Sequence, residues 1–344
     1  MEIDKSNMRQ VIIDSANQLK EGLALAESVK VKGPSLPVPP GRNGVRASKF
    51  ENVIICGMGG STLPADLLKA FLKTSIPVYI HKDYGLPSIA SKRSLVVCIS
   101  YSGNTEETLS ALEEALEKKL SIFGVSAGGA LEQQCKDHDI PFAKIPSGIQ
   151  PRSAIGYIFG ALVKILANAK ITEDISGELL NISETLPALN NKLEAQGKEL
   201  AKKVAAKIPI IYASNTFKEV AQIWKIKFNE NAKIPSFSNY FPELNHNEMV
   251  GFSTPERNNN FHVIILKNDR DHPRTVKRIE LFAALANTKG IASDIIETEN
   301  GSLLFKCFAL LLLGDWVSYY TALENNVDPT PVAMVEEFKE QMNK

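Results

Sequence analysis

Leu95-Val96-Val97-Cys98-Ile99-Ser100-Tyr101-Ser102-Gly103-Asn104-Thr105 decides the fold. Five consecutive apolar residues read as a strand buried on both faces, and such strands belong in parallel sheets covered by helices. The run empties into a hydroxyl-rich loop ahead of a helix-forming segment. That geometry aims backbone N–H groups, the positive end of a helix dipole and several hydroxyls at one point, which suits an anion such as a phosphate monoester. No Lys or Arg lies inside the loop.

The flanking segments repeat the alternation. Val53-Ile54-Ile55-Cys56 reads as a strand, 61–72 as a helix, 78–80 as a strand, 104–119 as a helix, 121–125 as a strand and 153–169 as a closing helix. After a charged, helix-prone stretch the pattern restarts, with strands at 208–212, 261–266 and 292–297 and helices at 216–228, 273–289, 302–323 and 331–341. Strands alternating with helices predict an α/β fold of two tandem units, each a parallel sheet flanked by helices. The expected division is an N-terminal helix (6–30) and a Pro-rich connector within 1–42, a first unit at 43–170, a helical crossover at 171–206 and a second unit with C-terminal helices at 207–344.

Composition narrows the function. The chain has 344 residues, with 39 basic and 39 acidic side chains, so no global field favours nucleic acid or an anionic membrane. No separate basic helix-turn-helix segment is evident either. A small polar ligand fits better. Cys56, Cys98, Cys135 and Cys307 are widely spaced, lack C-x-x-C pairing and lie mostly in or beside apolar runs, as free thiols do in a reducing compartment. Met1 to Lys20 is polar and amphipathic rather than leader-like, and the apolar run 303–313 is interrupted by Lys306 and too short for a membrane span. The expected location is cytoplasmic.

Six motifs carry the chemistry. Cys56-Gly57-Met58-Gly59-Gly60-Ser61 lets a ligand approach the backbone at a helix N-terminus, but Thr62 stands where a dinucleotide fingerprint needs its third glycine. A tight turn without a ligand is its plain alternative. In the opening loop Ser100, Ser102 and Thr105 offer three hydroxyls. Capping by Asn104 or Thr105, with Glu107 as reciprocal partner, accounts for one or two of them. Pro151-Arg152-Ser153 sets an arginine against a helix dipole, a mild conflict that an anion would relieve, or else a surface arginine. Phe228-Asn229-Glu230-Asn231-Ala232-Lys233 places a carboxylate between two amides past an aromatic helix face, either a general base or an ordinary polar helix end. Pro242-Glu243-Leu244-Asn245-His246-Asn247-Glu248 surrounds one of five histidines with groups able to fix its tautomer, and its spacing disfavours zinc. Asp328-Pro329-Thr330-Pro331-Val332 opens a last helix that carries Lys339.

All six motifs, in this order, resemble the bifunctional phosphoglucose/phosphomannose isomerase family, built from two sugar isomerase (SIS) domains. The resemblance spans nearly the whole chain. It implies that Ser61, Ser100, Ser102 and Thr105, with backbone at Gly59 and Gly60, bind the phosphate of a hexose 6-phosphate. It further implies Glu230 as the base, Arg152 as the stabiliser of negative charge, and His246 with Lys339 as the groups that open the pyranose ring. Glucose 6-phosphate, and mannose 6-phosphate with it, would interconvert with fructose 6-phosphate through a cis-enediol, as in glycolysis and gluconeogenesis. Thr330 takes the position implied for epimer choice, with Val332 as the other reading. The resemblance implies no metal, no cofactor, no nucleic acid and no membrane, and a homodimer in which His246 reaches the partner's site. A sugar-phosphate-binding regulator, or an isomerase restricted to glucose 6-phosphate, are the competing expectations. Binding alone does not need Glu230, His246 and Lys339 together.

Overall fold

The structure, a computed structural model, describes residues 3–34 and 49–342. From residue 35 onward the expected connector, with the boundary at 42/43, lies outside the described residues. Two compact units divide the chain, one formed by Asp14–Thr185 and the other by Met1–Ile13 with Leu186–Lys344. Helix α1 (Met8–Asp14) precedes α2 (Asn17–Leu25), so the single helix expected over 6–30 is interrupted. There the Gln18 N–H turns back to the Ser15 carbonyl, a tighter turn than an α-helix allows.

In the Asp14–Thr185 unit five strands, β1 (Asn52–Gly57), β2 (Val78–His81), β3 (Ser94–Ile99), β4 (Ser121–Ser126) and β5 (Phe142–Lys144), run parallel in the order β2-β1-β3-β4-β5. Every residue of β1, β3 and β4 is buried, which is why they read as apolar runs without alternation. Helices α3 (Leu63–Phe71), α4 (Glu106–Glu117), α5 (Gly129–Asp137), α6 (Ile155–Asn168) and α7 (Ser176–Thr185) accompany the sheet. The sequence reading missed α5, whose Gly128-Gly129 start reads as loop, and β5, whose three residues are too few for a pattern.

The second unit holds α8 (Asn190–Val204), β6 (Ile208–Ser214), α9 (Lys218–Lys227), β7 (Phe237–Phe241), α10 (Pro255–Asn258), β8 (Phe261–Lys267), α11 (Pro273–Thr288), β9 (Ala292–Glu297), α12 (Leu303–Glu324) and α13 (Ala333–Met342). Its strands are again all parallel, in the order β7-β6-β8-β9. Strand β7 was not anticipated, because Phe237-Ser238-Asn239-Tyr240-Phe241 lies at a sheet edge and carries polar residues. The stretch expected as one crossover breaks at Leu186–Leu189, where Pro187 cannot continue a helix, so that α7 and α8 fall in different units.

Helix α12 is the core of the second unit. At 22 residues it is longer than the apolar run that announced it and meets the length and apolarity of a membrane span, but 78% of its apolar window is buried inside the protein. Trp224 on α9 is fully buried and donates its ring N–H to the Leu310 carbonyl at 2.8 Å. Two buried lysines are paired: Lys227 with Asp315, and Lys306 with Asp269. All four cysteines are buried and free, and burial pushes the Cys56 and Cys135 thiols up to about 12.

At the β8–β9 pair, buried His262 approaches Asp294 Oδ2 at 2.8 Å, while Lys203 Nζ donates to Oδ1 at 2.6 Å. The His262 hydrogen bond first, then Lys203, lower the Asp294 carboxyl from 3.8 to about 2. A depressed carboxyl contributes stability that is fully present above its unfolded value and disappears as pH falls through its folded one. Chemical denaturation of Asp294→Asn should therefore show a loss of up to about 2 kcal/mol at pH 6. The deficit should shrink between about pH 4 and pH 2. An Asp294→Asn deficit that stayed constant down to pH 2 would remove this pair from acid stability.

Candidate active site

Strands β1 and β3 are neighbours, with Gly57 level with Ile99. They lie where the strand order reverses, the point at which open parallel sheets bind ligands beyond the carboxyl ends of their strands. The loops at 57–61 and 100–105 therefore leave the sheet side by side. The first coils through a 3-10 turn, Gly59–Ser61, into α3, and the second enters α4 with Thr105 at the N-cap.

Side-chain hydroxyls hold the two loops together. Ser61 Oγ accepts the Tyr101 N–H at 3.0 Å. Ser100 Oγ accepts the Gly103 N–H at 3.0 Å and the Thr105 N–H at 3.4 Å, and lies 2.7 Å from Thr105 Oγ1 and 3.5 Å from Ser102 Oγ. Ser102 Oγ accepts the Asn104 N–H at 3.2 Å. Gly103 is left-handed (φ +75°), and a Cβ there would lie 1.8 Å from the Gly128 carbonyl oxygen, so only glycine fits.

The N-cap expected at Asn104 or Thr105 is Thr105, but the expected side-chain capping bond is not made. Thr105 makes no side-chain cap hydrogen bond because its hydroxyl meets Ser100, and Asn104 Oδ1 accepts the Ala130 N–H at 2.9 Å. The hydroxyls form a cluster at the mouth of the sheet rather than a helix cap. Sequence reasoning also missed Tyr101. Its phenol donates to the Pro146 carbonyl at 3.1 Å and accepts the Ile149 N–H at 3.1 Å, fastening the segment that leads to Arg152. An aromatic residue between two serines at a strand end was the available signal.

Arg152 is not a surface arginine: only 1% of it is exposed. It sits in the 3-10 turn Pro151–Ser153, and its Nη1 donates to Gln150 Oε1 at 3.3 Å. A Cβ on Gly60 would stand 2.7 Å from the Arg152 backbone nitrogen and 2.9 Å from the Pro151 carbonyl carbon. Ser61, Ser100, Ser102, Thr105, Gly59, Gly60 and Arg152 thus all belong to one unit and one end of its sheet.

The remaining candidates belong to the other unit. After α9 the chain widens into a π-helical turn, Phe228–Ala232, which carries half-buried Glu230 and ends at Lys233 in the left-handed region (φ 57°). The asparagines on either side of Glu230 anchor this turn. Asn229 Nδ2 donates to the Ile234 carbonyl at 2.9 Å, and Asn231 Nδ2 to Ser318 Oγ on α12 at 3.0 Å. Lys233 Nζ donates to the carbonyls of Glu230 (2.6 Å), Asn231 (3.2 Å) and Pro329 (3.1 Å). One ammonium thereby joins the Glu230 turn to the turn holding Thr330, whose own N–H goes to Asp328 Oδ1 at 3.0 Å. His246 closes a short 3-10 turn, Glu243–His246, and is exposed. Lys339 is exposed on α13, a helix with no buried residue.

Residues 193–342 match the model of the bacterial phospho-glucose isomerase C-terminal SIS domain. A bifunctional phosphoglucose/phosphomannose isomerase of Thermoplasma acidophilum is 36% identical over 298 residues, covering 87% of this chain and 92% of that protein. A D-glucosamine-6-phosphate 4-epimerase of Sulfolobus acidocaldarius is 28% identical over 295 residues, covering 85% and 89%. Among solved structures, the C-terminal domain of a glucosamine-fructose-6-phosphate aminotransferase from Francisella tularensis superposes with a TM-score of 0.69 at 15% identity, covering 94% and 98%. That likeness supports the fold, an α/β architecture of two SIS-type sheets.

Close packing at Gly60 yields a test. Gly60→Ala should push the Arg152 turn out of place and cost about 1–3 kcal/mol in a denaturant titration. Unchanged stability would mean that the turn moves freely and that Gly60 does not set its position.

Proposed function

The chain belongs to the bifunctional phosphoglucose/phosphomannose isomerase family, and from that premise we propose that it interconverts glucose 6-phosphate and mannose 6-phosphate with fructose 6-phosphate through a cis-enediol. The observation that carries this reading is the hydroxyl cluster of Ser61, Ser100, Ser102 and Thr105 at the sheet's switch point. It offers hydroxyl donors and helix N-termini to a phosphate monoester without a lysine or arginine side chain in the loop. Binding energy taken from that remote phosphate can be used to hold the sugar for chemistry at C1 and C2.

Glu230 is assigned as the base. It takes the C2 proton of the open-chain aldose, and the electron pair left behind forms the C1–C2 double bond of the enediolate as charge moves to O1. The proton then returns at C1, while a hydroxyl proton moves from O2 to O1. Atoms and electrons balance within the substrate, so a proton shuttle suffices. Arg152, a guanidinium held in a buried turn, is assigned to the developing negative charge. His246 and Lys339 are assigned to ring opening, and Thr330, or Val332, to the choice of epimer at C2. Gly59 and Gly60 lend backbone to the phosphate site.

The division into SIS domains at 43–170 and 207–344 is part of the same reading, as are a cytoplasmic location and a homodimer with His246 serving the partner's site. His246 is exposed, as that role requires. Val250 and Leu285, which line a shared cleft with its neighbour Asn245, leave 67% and 45% of their surface open.

One coupled assay on glucose 6-phosphate and mannose 6-phosphate separates this reading from its rivals. Turnover of both supports it, turnover of glucose 6-phosphate alone restricts it, and saturable binding without turnover makes the protein a sensor. Chromatography of the product distinguishes isomerisation at C1–C2 from epimerisation at C4. Glu230→Gln should lower turnover by roughly 100-fold or more while substrate still binds. A Glu230→Gln enzyme that keeps wild-type turnover rules out the assigned base.

A further inference from the structure

Glu248 has no part in the chemistry assigned above, yet it is tied to the sheet beside His246. Its carboxylate accepts the Tyr212 phenol on Oε1 at 2.6 Å and the Asn239 amide on Oε2. Tyr212 lies on β6 and Asn239 on the neighbouring strand β7, where the two residues are in register. Tyr212 is fully buried, with its ring against Phe241 and Phe282 at centroid distances of 6.1 and 5.4 Å. Burial, with Glu248 alongside, pushes its phenol well above the ordinary value, so it remains a hydrogen-bond donor.

Asn247, the residue between His246 and Glu248, transmits this anchorage. Asn247 takes an irregular backbone (φ −144°, ψ −69°), its Oδ1 accepts the Glu248 N–H at 2.5 Å, and its Nδ2 donates to Glu243 Oε1 at 2.7 Å. The Asn247 amide therefore closes the Glu243–His246 turn against Glu248. On its other side the turn is held by Leu244, fully buried in the core with Tyr212 and Phe241. An exposed imidazole would otherwise sample many orientations.

We propose that Glu248, held by Tyr212 and Asn239, is a positioning residue that presents the His246 imidazole for ring opening. The proposal rests on the ring-opening role assigned to His246. It makes the Tyr212–Glu248–Asn239 set part of the reaction's first step and leaves proton abstraction by Glu230 untouched.

Exchange NMR of the two anomers of glucose 6-phosphate reads ring opening alone when it is performed on the Glu230→Gln enzyme, which retains the ring-opening groups. In that background Glu248→Ala and Tyr212→Phe should each slow anomer exchange by roughly 10- to 100-fold, the scale on which a small misplacement acts. Tyr212→Phe keeps the buried ring, so it tests the hydrogen bond even where Glu248→Ala folds poorly. Glu248→Gln, which retains one acceptor for Tyr212, should recover part of the rate. Adding Glu248→Ala to His246→Ala should give little further loss, because the first acts through the second.

His246→Ala slowing exchange while Glu248→Ala and Tyr212→Phe do not would overturn the positioning role alone. Multiplicative losses in the double variant would also overturn it, since Glu248 would then act independently of His246. If His246→Ala leaves exchange at the parent rate, the ring-opening assignment itself fails and this proposal fails with it.

Discussion

Tyr101 is the residue on which the loop end of the first sheet, the proposed phosphate site, depends. Its backbone N–H holds Ser61 of one loop, and its phenol holds Pro146 and Ile149 of another, while the residue itself belongs to the Ser100–Thr105 loop. Three segments are thereby referred to one residue, 8% of whose surface is exposed. Burying a phenol is favourable only when its polar end is satisfied, and here it both donates and accepts. A loop cluster of this kind is preorganised: its hydroxyls already order one another, so the proposed phosphate would have less conformational entropy to overcome.

That order depends in turn on strand register. Because β1 and β3 are adjacent and parallel, Gly57 and Ile99 end level, and whatever follows each strand starts from the same place. A helix cap could have been built anywhere in the chain. Hydroxyls that give up capping to meet one another at a switch point fit a ligand site better than a structural one. Arg152 is buried at the same end of the sheet, its backbone packed against Gly60.

The parts of the fold legible in the sequence are those whose burial is uniform. Val53–Cys56, Leu95–Ile99 and Ser121–Val125 announce themselves because both faces of each strand are covered, and Thr216–Phe228 and Pro273–Lys289 because one helical face is apolar. Edge strands were legible only in part: β2 and β9 were expected at 78–80 and 292–297, whereas β5 and β7 were not. Strand β7 has to offer Asn239 to Glu248 and so cannot be uniformly apolar, and β5 is too short to display a period. At the site, residue types were legible but partnerships were not. The sequence shows Glu230 between Asn229 and Asn231, and only the structure shows that their amides reach Ile234 and Ser318 and shape the backbone that carries it.

That backbone explains why the candidate base sits on an irregular turn. A regular α-helix continuing from α9 would bring each residue round at 3.6 per turn, whereas the wider turn at Phe228–Ala232 redirects the chain. Widened turns are uncommon and need external support, which Asn231 provides by reaching Ser318 on α12, and Lys233 by bridging three carbonyls. Lys233 itself takes a left-handed conformation that glycine or asparagine would adopt at less cost. Those residues have no side chain long enough to reach the Pro329 carbonyl with a charge. The strain at Lys233 is therefore the consequence of requiring one residue both to end the turn and to tie it to the segment around Thr330. In the proposed reaction these two places meet a single functional demand, since the base removes the proton from the same carbon whose configuration distinguishes glucose from mannose.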